Sequence, residues 1–152
     1  MADRSQRSKP SLTLRRQLKA SPDKVFEAWT RPEALKAWFG PGEIVEVPIA
    51  EVDLRVGGRY RIVMRAEDGE MHRVGGVYRE IVPGRRLRFS WAWESTPERV
   101  SQVTVELTPK DGGTLLTLTH EQFFDEAARD RHRYGWTGAL DKLAGRFEGQ
   151  QA

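Results

Sequence analysis

The sequence predicts an α+β protein in which a curved antiparallel sheet of about seven strands wraps around one long C-terminal helix. Between Glu43 and Gln122, large apolar side chains alternate with charged or small ones, which is the two-residue period of β-strands. After Asp125 the apolar residues recur at three- and four-residue spacing, as on one side of an amphipathic helix. Strands that follow one another and are segregated from the helices favour an antiparallel sheet and the α+β class.

The N-terminal part of the chain is predicted to form one strand and two short helices. Alternation over residues 12–18 indicates the first strand. The segment Ser21-Pro22-Asp23 is typical of a helix start, because Ser caps free N–H groups and Pro fits the first turn. A second helix begins near Pro32 and ends at Gly40-Pro41-Gly42.

Six further strands and the last helix complete the predicted order. The strands cover residues 44–54, 59–66, 71–82, 85–94, 100–108 and 114–121. Pro48 has no N–H to donate to a neighbouring strand, which indicates an edge position or a bulge. The helix contains Gly135, Gly138 and Gly145, and each costs up to ~1 kcal/mol relative to Ala. Close approach to a neighbouring surface is the expected reason for all three.

Composition excludes several functional classes. The 152 residues include no cysteine, so neither a disulfide framework nor a thiolate site is available. No apolar run approaches the ~20 residues that span a bilayer, and a formal charge of +3 does not call for a nucleic-acid partner. We expect a cytoplasmic monomer or homodimer, with a flexible leader of residues 1–10 and one domain over residues 11–149. No metal, cofactor, nucleic acid or membrane insertion is expected.

The candidate binding surface is the aromatic face of the sheet. Strand alternation places Tyr60 and Met64 on this face and Arg59 and Arg61 on the other. Buried Tyr and Trp side chains need polar partners, which a ligand cavity supplies, although a fully packed core shows the same alternation. The candidate cavity residues are Trp29, Trp38, Phe39, Tyr60, Met64, Tyr78, Phe89, Trp91, Trp93, Leu118, His120, His132, Trp136, Leu140 and Leu143.

Each part of this cavity has an expected origin. The floor is assigned to Tyr60, Met64, Phe89 and Trp91, the lid to Trp136, Leu140 and Leu143, and one closing end to Trp29, Trp38 and Phe39. His120 is the expected polar anchor for a ligand. A bulge near Gly75-Gly76 would turn Tyr78 out of the cavity.

The histidines and carboxylates allow a catalytic interpretation and a structural one. Alternation places His120 beside Leu118, and helical spacing places His132 one turn before Trp136, so both histidines can meet in the cavity as acid/base groups. The favoured interpretation is that both are hydrogen-bonded core residues. Asp53 is a candidate buried acid, but the favoured interpretation is that it pairs with an arginine or caps the turn at Gly57-Gly58. No catalytic residue and no metal ligand is assigned, because no histidine pair has the spacing of a helical metal motif.

The opposite face of the sheet is rich in arginine. The residues are Arg59, Arg61, Arg65, Arg73, Arg79, Arg86 and Arg88. Such a face binds an acidic partner, RNA or an anionic membrane, or it is a solvated surface. In a solvated surface, glutamates such as Glu80, Glu94 and Glu106 pair with the arginines across the strands. The solvated surface is favoured, because aromatic side chains do not interleave with the arginines as nucleic-acid stacking requires.

Several segments together resemble a known family. They are Phe26 to Thr30, Trp38 to Pro41, Val52 to Tyr60, Gly76 to Ile81, Leu116 to His120, and Gly135-Trp136. In this order and spacing, the chain from about Leu12 to Phe147 resembles the activator of heat-shock protein 90 ATPase homologue-like family. That family lies within the START or birch-pollen-allergen-like (SRPBCC) helix-grip superfamily.

The resemblance implies a helix-grip fold with a cavity between the sheet and the last helix. Members of the superfamily bind lipids, sterols, plant hormones and polyketides, and a minority are enzymes such as cyclases. Three functions are therefore open. The first is a binding module for a small lipophilic ligand. The second is a protein-interaction module like the eukaryotic co-chaperone that gives the family its name, with a chaperone as partner. The third is a cyclase- or hydrolase-like enzyme that acts on a hydrophobic substrate.

Overall fold

A computed structural model describes residues 9–150 of the chain. The elements are β1 (Leu12–Leu18), α1 (Pro22–Thr30), α2 (Pro32–Trp38), β2 (Ile44–Val52), β3 (Arg59–Ala66), β4 (Met71–Val82), β5 (Arg86–Trp93), β6 (Ser101–Lys110), β7 (Gly113–Glu121) and α3 (Glu126–Gln150). The predicted order of one strand, two short helices, six strands and a long helix is confirmed. Most of the expected leader, residues 1–8, lies outside the described residues, and the Pro10 carbonyl accepts the N–H of Phe123 at 3.2 Å.

The seven strands form one antiparallel sheet in the order β1-β7-β6-β5-β4-β3-β2, curled into a half-barrel. The first strand pairs with the last, so that Leu12 lies opposite His120. The chain then passes through α1 and α2 to the other edge of the sheet, where β2 begins. The predicted α+β helix-grip architecture is confirmed.

Local capping explains where the helices begin and end. The Ser21 hydroxyl accepts the N–H of Lys24 at 3.3 Å, and the Asp125 carboxylate accepts the N–H of Ala128 at 2.8 Å. Helix α2 ends at Trp38, and Gly40 then takes a φ of +94°, which side-chain-bearing residues rarely adopt. This turn leads the chain across the end of the sheet toward β2.

Helix α3 contributes the apolar stripe predicted from its spacing. Trp136, Leu140, Leu143 and Phe147 are all buried in the common core. The helical glycines differ from one another. A Cβ at Gly138 would lie 3.2 Å from Pro41 Cα, so the expected close approach holds there. The same expectation is wrong for Gly135 and Gly145, because a Cβ at either position meets no atom within 4 Å.

The strand irregularities fall close to the expected positions. Strand β2 is an edge strand, and its pairing with β3 shifts register on either side of Glu46, the second shift spanning Pro48. Strand β4 shifts register against β5 between Tyr78 and Glu80, after Gly75-Gly76. Tyr78 therefore stays inside, with 3% of its surface exposed.

The outer face of the sheet is a network of paired charges, as the favoured interpretation predicted. Arg61 contacts Glu94 at 2.7 Å, and Arg86 contacts Glu106 at 3.1 Å and Glu80 at 3.5 Å. These pairs are partly exposed, so each contributes about 0–1 kcal/mol to stability. Asp53 likewise lies near the surface, where its carboxylate accepts from Arg55 Nε at 2.9 Å. Asp53 is therefore not a buried catalytic acid.

Candidate ligand-binding site

A pocket of about 670 Å³ opens between α3, the segment after α2, and the neighbouring ends of β3, β4 and β5. Its lining is mainly apolar and aromatic, which is typical of small-molecule sites. Six of the predicted cavity residues line it, namely Phe39, Met64, Trp91, Trp93, His132 and Trp136. Of the predicted floor only Met64 and Trp91 line this pocket, and of the predicted lid only Trp136 does.

The middle of the predicted cavity is almost closed. Trp29, Tyr60, Tyr78 and Phe89 surround a second space of only about 20 Å³, which Phe39 and Trp91 also line. The rings of Tyr60 and Phe89 pack edge to face with centroids 5.3 Å apart. The other predicted residues, Trp38, Leu118, His120, Leu140 and Leu143, line neither space and are fully buried in the core.

Ten pocket residues were not predicted from the sequence. They are Gly40, Pro41, Glu43, Ile44, His72, Asp130, Arg131, Tyr134, Gly135 and Ala139. Two of them have a signal only once the strand pairing and the helix packing are known. His72 lies directly across from Met64 in the β3–β4 pairing, and Gly135 is a helical glycine without steric need. The segment 40–44 gives no signal for binding, because its Gly and Pro residues indicate only a turn.

Two tryptophans of the pocket wall share one histidine nitrogen. The indole N–H groups of Trp93 and Trp91 point to His132 Nε2, at 2.9 Å and 3.3 Å. The Nδ1 atom of His132 lies 2.6 Å from the carbonyl oxygen of Ala128, one turn earlier in α3. Because Nε2 accepts from two donors, the ring proton resides on Nδ1, and the imidazole is neutral.

The second histidine is held in the same way behind the pocket wall. Trp136 Nε1 donates to His120 Nδ1 at 3.0 Å. The remaining proton of His120 is therefore on Nε2, which lies 2.7 Å from Ser101 Oγ, and Ser101 donates in turn to the Trp91 carbonyl at 3.3 Å. Every polar atom of this chain of contacts has a partner.

Burial and like charge oppose protonation of both histidines. Burial, with a contribution from neighbouring His132, holds the pKa of His120 well below its usual value. Burial also lowers the pKa of His132, and the bond to the Ala128 carbonyl only partly offsets this. The favoured prediction of hydrogen-bonded structural histidines therefore describes both rings. Neither has a free nitrogen for a ligand, so the contacts do not provide the polar anchor that was assigned to His120.

Charged groups lie at the mouth of the pocket. Tyr134, which is largely exposed, donates from its hydroxyl to the Glu43 carboxylate at 3.3 Å, so that α3 is bridged to the segment before β2. Asp130 and Arg131 also face this rim and are exposed. The inner wall is formed instead by Phe39, Met64 and the tryptophans, so it presents apolar surface and ring faces.

Residues 9–150 contain neither a cluster of metal-binding side chains nor a membrane-spanning helix. Within that range, no group of three or more His, Asp or Glu side chains is arranged to hold a metal ion. No helix among the same residues is both long and apolar enough to cross a membrane.

Solved structures resemble this chain over nearly its whole length. A protein from Chromobacterium violaceum is 31% identical, with a TM-score of 0.82 over 91% of this chain and 98% of the other. The AHSA1 protein of Silicibacter pomeroyi is 27% identical, with a TM-score of 0.83 over 93% and 99%. A protein from Rhizobium leguminosarum is 30% identical, with a TM-score of 0.76 over 93% and 95%.

Sequence comparison identifies the family directly. The family model described as "Activator of Hsp90 ATPase homolog 1-like protein" matches residues 19–148, which include α1, α2, all strands except β1, and α3 up to its last two residues. No curated protein sequence matches the chain. The match agrees with the resemblance carried by the segments from Phe26 to Trp136. The chain therefore belongs to the activator of Hsp90 ATPase homolog 1-like family, within the SRPBCC helix-grip superfamily.

Proposed function

We propose that this protein binds a small lipophilic ligand in the open pocket between α3 and the sheet. The observation that carries the proposal is the size and lining of that pocket, about 670 Å³ with walls of Phe39, Met64, Trp91, Trp93 and Trp136. Ligand sites commonly have volumes of roughly 300–1,000 Å³ and are mostly apolar with few polar groups. Family membership supports the proposal, because the resemblance implies a helix-grip superfamily whose members bind lipids, sterols and other small lipophilic molecules.

Binding fits the contacts better than catalysis does. His132 is the histidine between the two tryptophans of the wall, and its two nitrogens are engaged by Trp93, Trp91 and the Ala128 carbonyl. A histidine that acts as general base needs a free nitrogen within hydrogen-bond reach of the substrate. His132 would have to break existing bonds before it accepted a proton, so it is not a prepared base.

Native mass spectrometry of gently purified protein tests the proposal. A reproducible mass excess that disappears on denaturation is the expected result, and it would identify the ligand by its mass. The sample is then stripped by denaturation and refolding, and it is titrated with an extract of cellular lipids and small molecules. If the stripped protein takes up nothing and the native protein carries only its own mass, the proposal is wrong.

A second candidate function is a protein-interaction module that contacts a chaperone of the Hsp90 type. Two observations favour it. The family is described by activation of the Hsp90 ATPase, and the chain exposes apolar surface near β6 and β7. Phe124 is 63% exposed and Val100 is 48% exposed, and the Arg99 guanidinium lies 3.9 Å from the Phe124 ring centre. Exposed aromatic and arginine side chains are enriched in protein interfaces.

The rate of ATP hydrolysis by an Hsp90 tests this second candidate. Addition of the wild-type chain is expected to raise the rate, and Phe124→Ala is expected to remove the increase. The control is Val45→Ala, which truncates another exposed apolar side chain on β2. A rate that does not change on addition of the wild-type chain would rule out the candidate, and equal effects of the two variants would rule out this surface.

A further inference from the structure

One tryptophan of the five differs from the others in its hydrogen bonding. The indole N–H of Trp38 donates to the Ala28 carbonyl at 2.9 Å, and those of Trp91, Trp93 and Trp136 donate to histidine nitrogens. The Nε1 atom of Trp29 is buried and has no acceptor among the residues that the structure describes. An unpaired buried donor costs about 1–3 kcal/mol, so native cores rarely retain one without a reason.

Trp29 lies at the small closed space rather than in solid core. Only 3% of its surface is exposed, and its ring packs against Trp38 and Trp136 with centroid distances of 4.8 Å and 5.8 Å. It lines the space of about 20 Å³ together with Tyr60, Tyr78 and other apolar side chains. That volume is enough for about one water molecule and far too small for a ligand.

The closed space and the open pocket share two wall residues, Phe39 and Trp91. Trp91 is held by its N–H bond to His132 and by ring contacts with Trp93 and Trp136. The Phe39 ring contacts those of Trp38, Trp91 and Trp136 but makes no hydrogen bond, and the residue directly follows the short helix α2. Of the two, Phe39 is therefore the side chain that can move without breaking a hydrogen bond.

We infer that Phe39 is a movable partition between the two spaces, and that the Trp29 N–H donates to an acceptor oxygen at the buried end of the ligand. The inference rests on the proposed function, and it narrows the ligand to a chemical class. The inner walls are ring faces of Phe39, Trp91 and Trp136, which favour a planar aromatic body. The residues around the closed space are uncharged, so the buried end is neutral, and a carbonyl oxygen is the matching group.

Two probes of the same shape test this assignment. The first is 2-acetylnaphthalene, which has a carbonyl oxygen, and the second is 2-ethylnaphthalene, which does not. Protein labelled with ¹⁵N at tryptophan gives one indole signal per tryptophan, five in total, and single Trp→Phe variants assign them. With the ketone, the indole proton signal of Trp29 is expected to shift downfield, as it does when an N–H group forms a hydrogen bond. With the hydrocarbon, the signals of Trp93 and Trp136 move and that of Trp29 does not shift in this way.

Affinities give a second readout. The ratio of ketone to hydrocarbon affinity is expected to fall about three- to tenfold in Trp29→Phe, the equivalent of one hydrogen bond. Trp38→Phe is the matched control, because it removes an indole N–H from a tryptophan that lines neither space, and it is expected to leave the ratio unchanged.

The outcomes separate this inference from the proposed function. If both probes move the outer signals and affect Trp29 equally, the pocket binds ligands but Trp29 is not the donor, and the inference is overturned. The same follows if Trp29→Phe leaves the affinity ratio unchanged. If neither probe moves the Trp93 or Trp136 signal at saturation, the pocket does not take aromatic ligands, and both the inference and the proposed function fail for this class.

Discussion

The Nε1 atom of Trp93 lies 2.9 Å from Nε2 of His132, so a tryptophan of β5 is tied to a histidine of α3 across the inner wall of the pocket. Trp91 shares the same acceptor at 3.3 Å. A proton added to Nε2 would turn the acceptor into a donor that faces two other donors. The geometry of the pocket wall therefore depends on neutral His132.

Stability is expected to fall as the pH drops below about 6.5. Burial holds the pKa of His120 and of His132 below the values in the unfolded chain, so the unfolded state binds more protons in this range. The stabilisation is fully present above the unfolded pKa of about 6.5, and it is lost progressively as the pH falls toward the folded values. Each histidine contributes a slope of up to about 1.4 kcal/mol per pH unit. Urea unfolding at pH 7.5, 6.5 and 5.5 measures how the free energy of unfolding changes with pH.

The matched variant for this experiment is His132→Gln. Its side-chain oxygen can accept from Trp93 near the position of Nε2 but does not titrate in this range. The slope between pH 6.5 and 5.5 is expected to be smaller in this variant than in the wild type. Equal slopes would show that His132 does not contribute to the pH dependence.

Two glycines of α3 form a matched pair for testing the pocket. A Cβ at Gly135 or Gly145 meets no atom within 4 Å, but only Gly135 lines the pocket. Replacement by leucine is expected to raise stability by up to about 1 kcal/mol at either position through helix propensity. Only Gly135→Leu places a side chain in the pocket. Titration with 2-acetylnaphthalene should show at least tenfold weaker binding for Gly135→Leu and unchanged binding for Gly145→Leu. Equal affinities would place the site elsewhere.

Gly138 is expected to respond differently from the other two glycines. A Cβ there would lie 3.2 Å and 3.3 Å from Pro41 Cα and Cβ, which is closer than ordinary van der Waals contact. The gain in helix propensity is then offset by overpacking, which typically costs about 1–3 kcal/mol. Chemical denaturation should show Gly138→Ala to be no more stable than the wild type, whereas Gly145→Ala gains up to about 1 kcal/mol. A similar gain at both positions would mean that the Pro41 segment yields freely.

Trp38→Phe is expected to destabilise the fold more than Trp29→Phe. The Trp38 N–H donates to the Ala28 carbonyl in the core. Removal of the N–H leaves this buried carbonyl with one hydrogen-bond donor fewer, at a cost of about 1–3 kcal/mol. Trp29→Phe deletes a donor that has no partner within residues 9–150, so only the packing of the larger ring is lost. The difference in unfolding free energy between the variants is the measurement. A larger loss for Trp29→Phe would show that its N–H has a partner within the protein.

The sequence was sufficient for the architecture because the strands and helices have distinct periods. The alternation through Tyr60, Ile62 and Met64 fixed the inner face of β3, and the spacing of Trp136, Leu140 and Leu143 fixed the buried side of α3. The missing N–H of Pro48 indicated the irregular edge strand. Each of these inferences uses local geometry that a single element determines.

The sequence was not sufficient to separate pocket from core. Phe89 and Trp91 belong to one strand face, but Phe89 borders only the closed space, whereas Trp91 also borders the open pocket. What distinguishes them is where Phe39 and α3 lie above the sheet, and alternation contains no information about that layer. Trp93 and His132 are also far apart in the sequence. The sequence pattern therefore pointed to the two histidines but not to the tryptophans that donate hydrogen bonds to them.

The shifted register of β2 at Pro48 has a consequence for association between molecules. An edge strand exposes backbone N–H and carbonyl groups on which another chain can add a strand and start aggregation. Pro48 offers no N–H, and the neighbouring Glu46 and Glu51 bring negative charge to the same strand. This edge of the half-barrel is therefore a poor template for intermolecular strand pairing, which protects a sheet that does not close on itself.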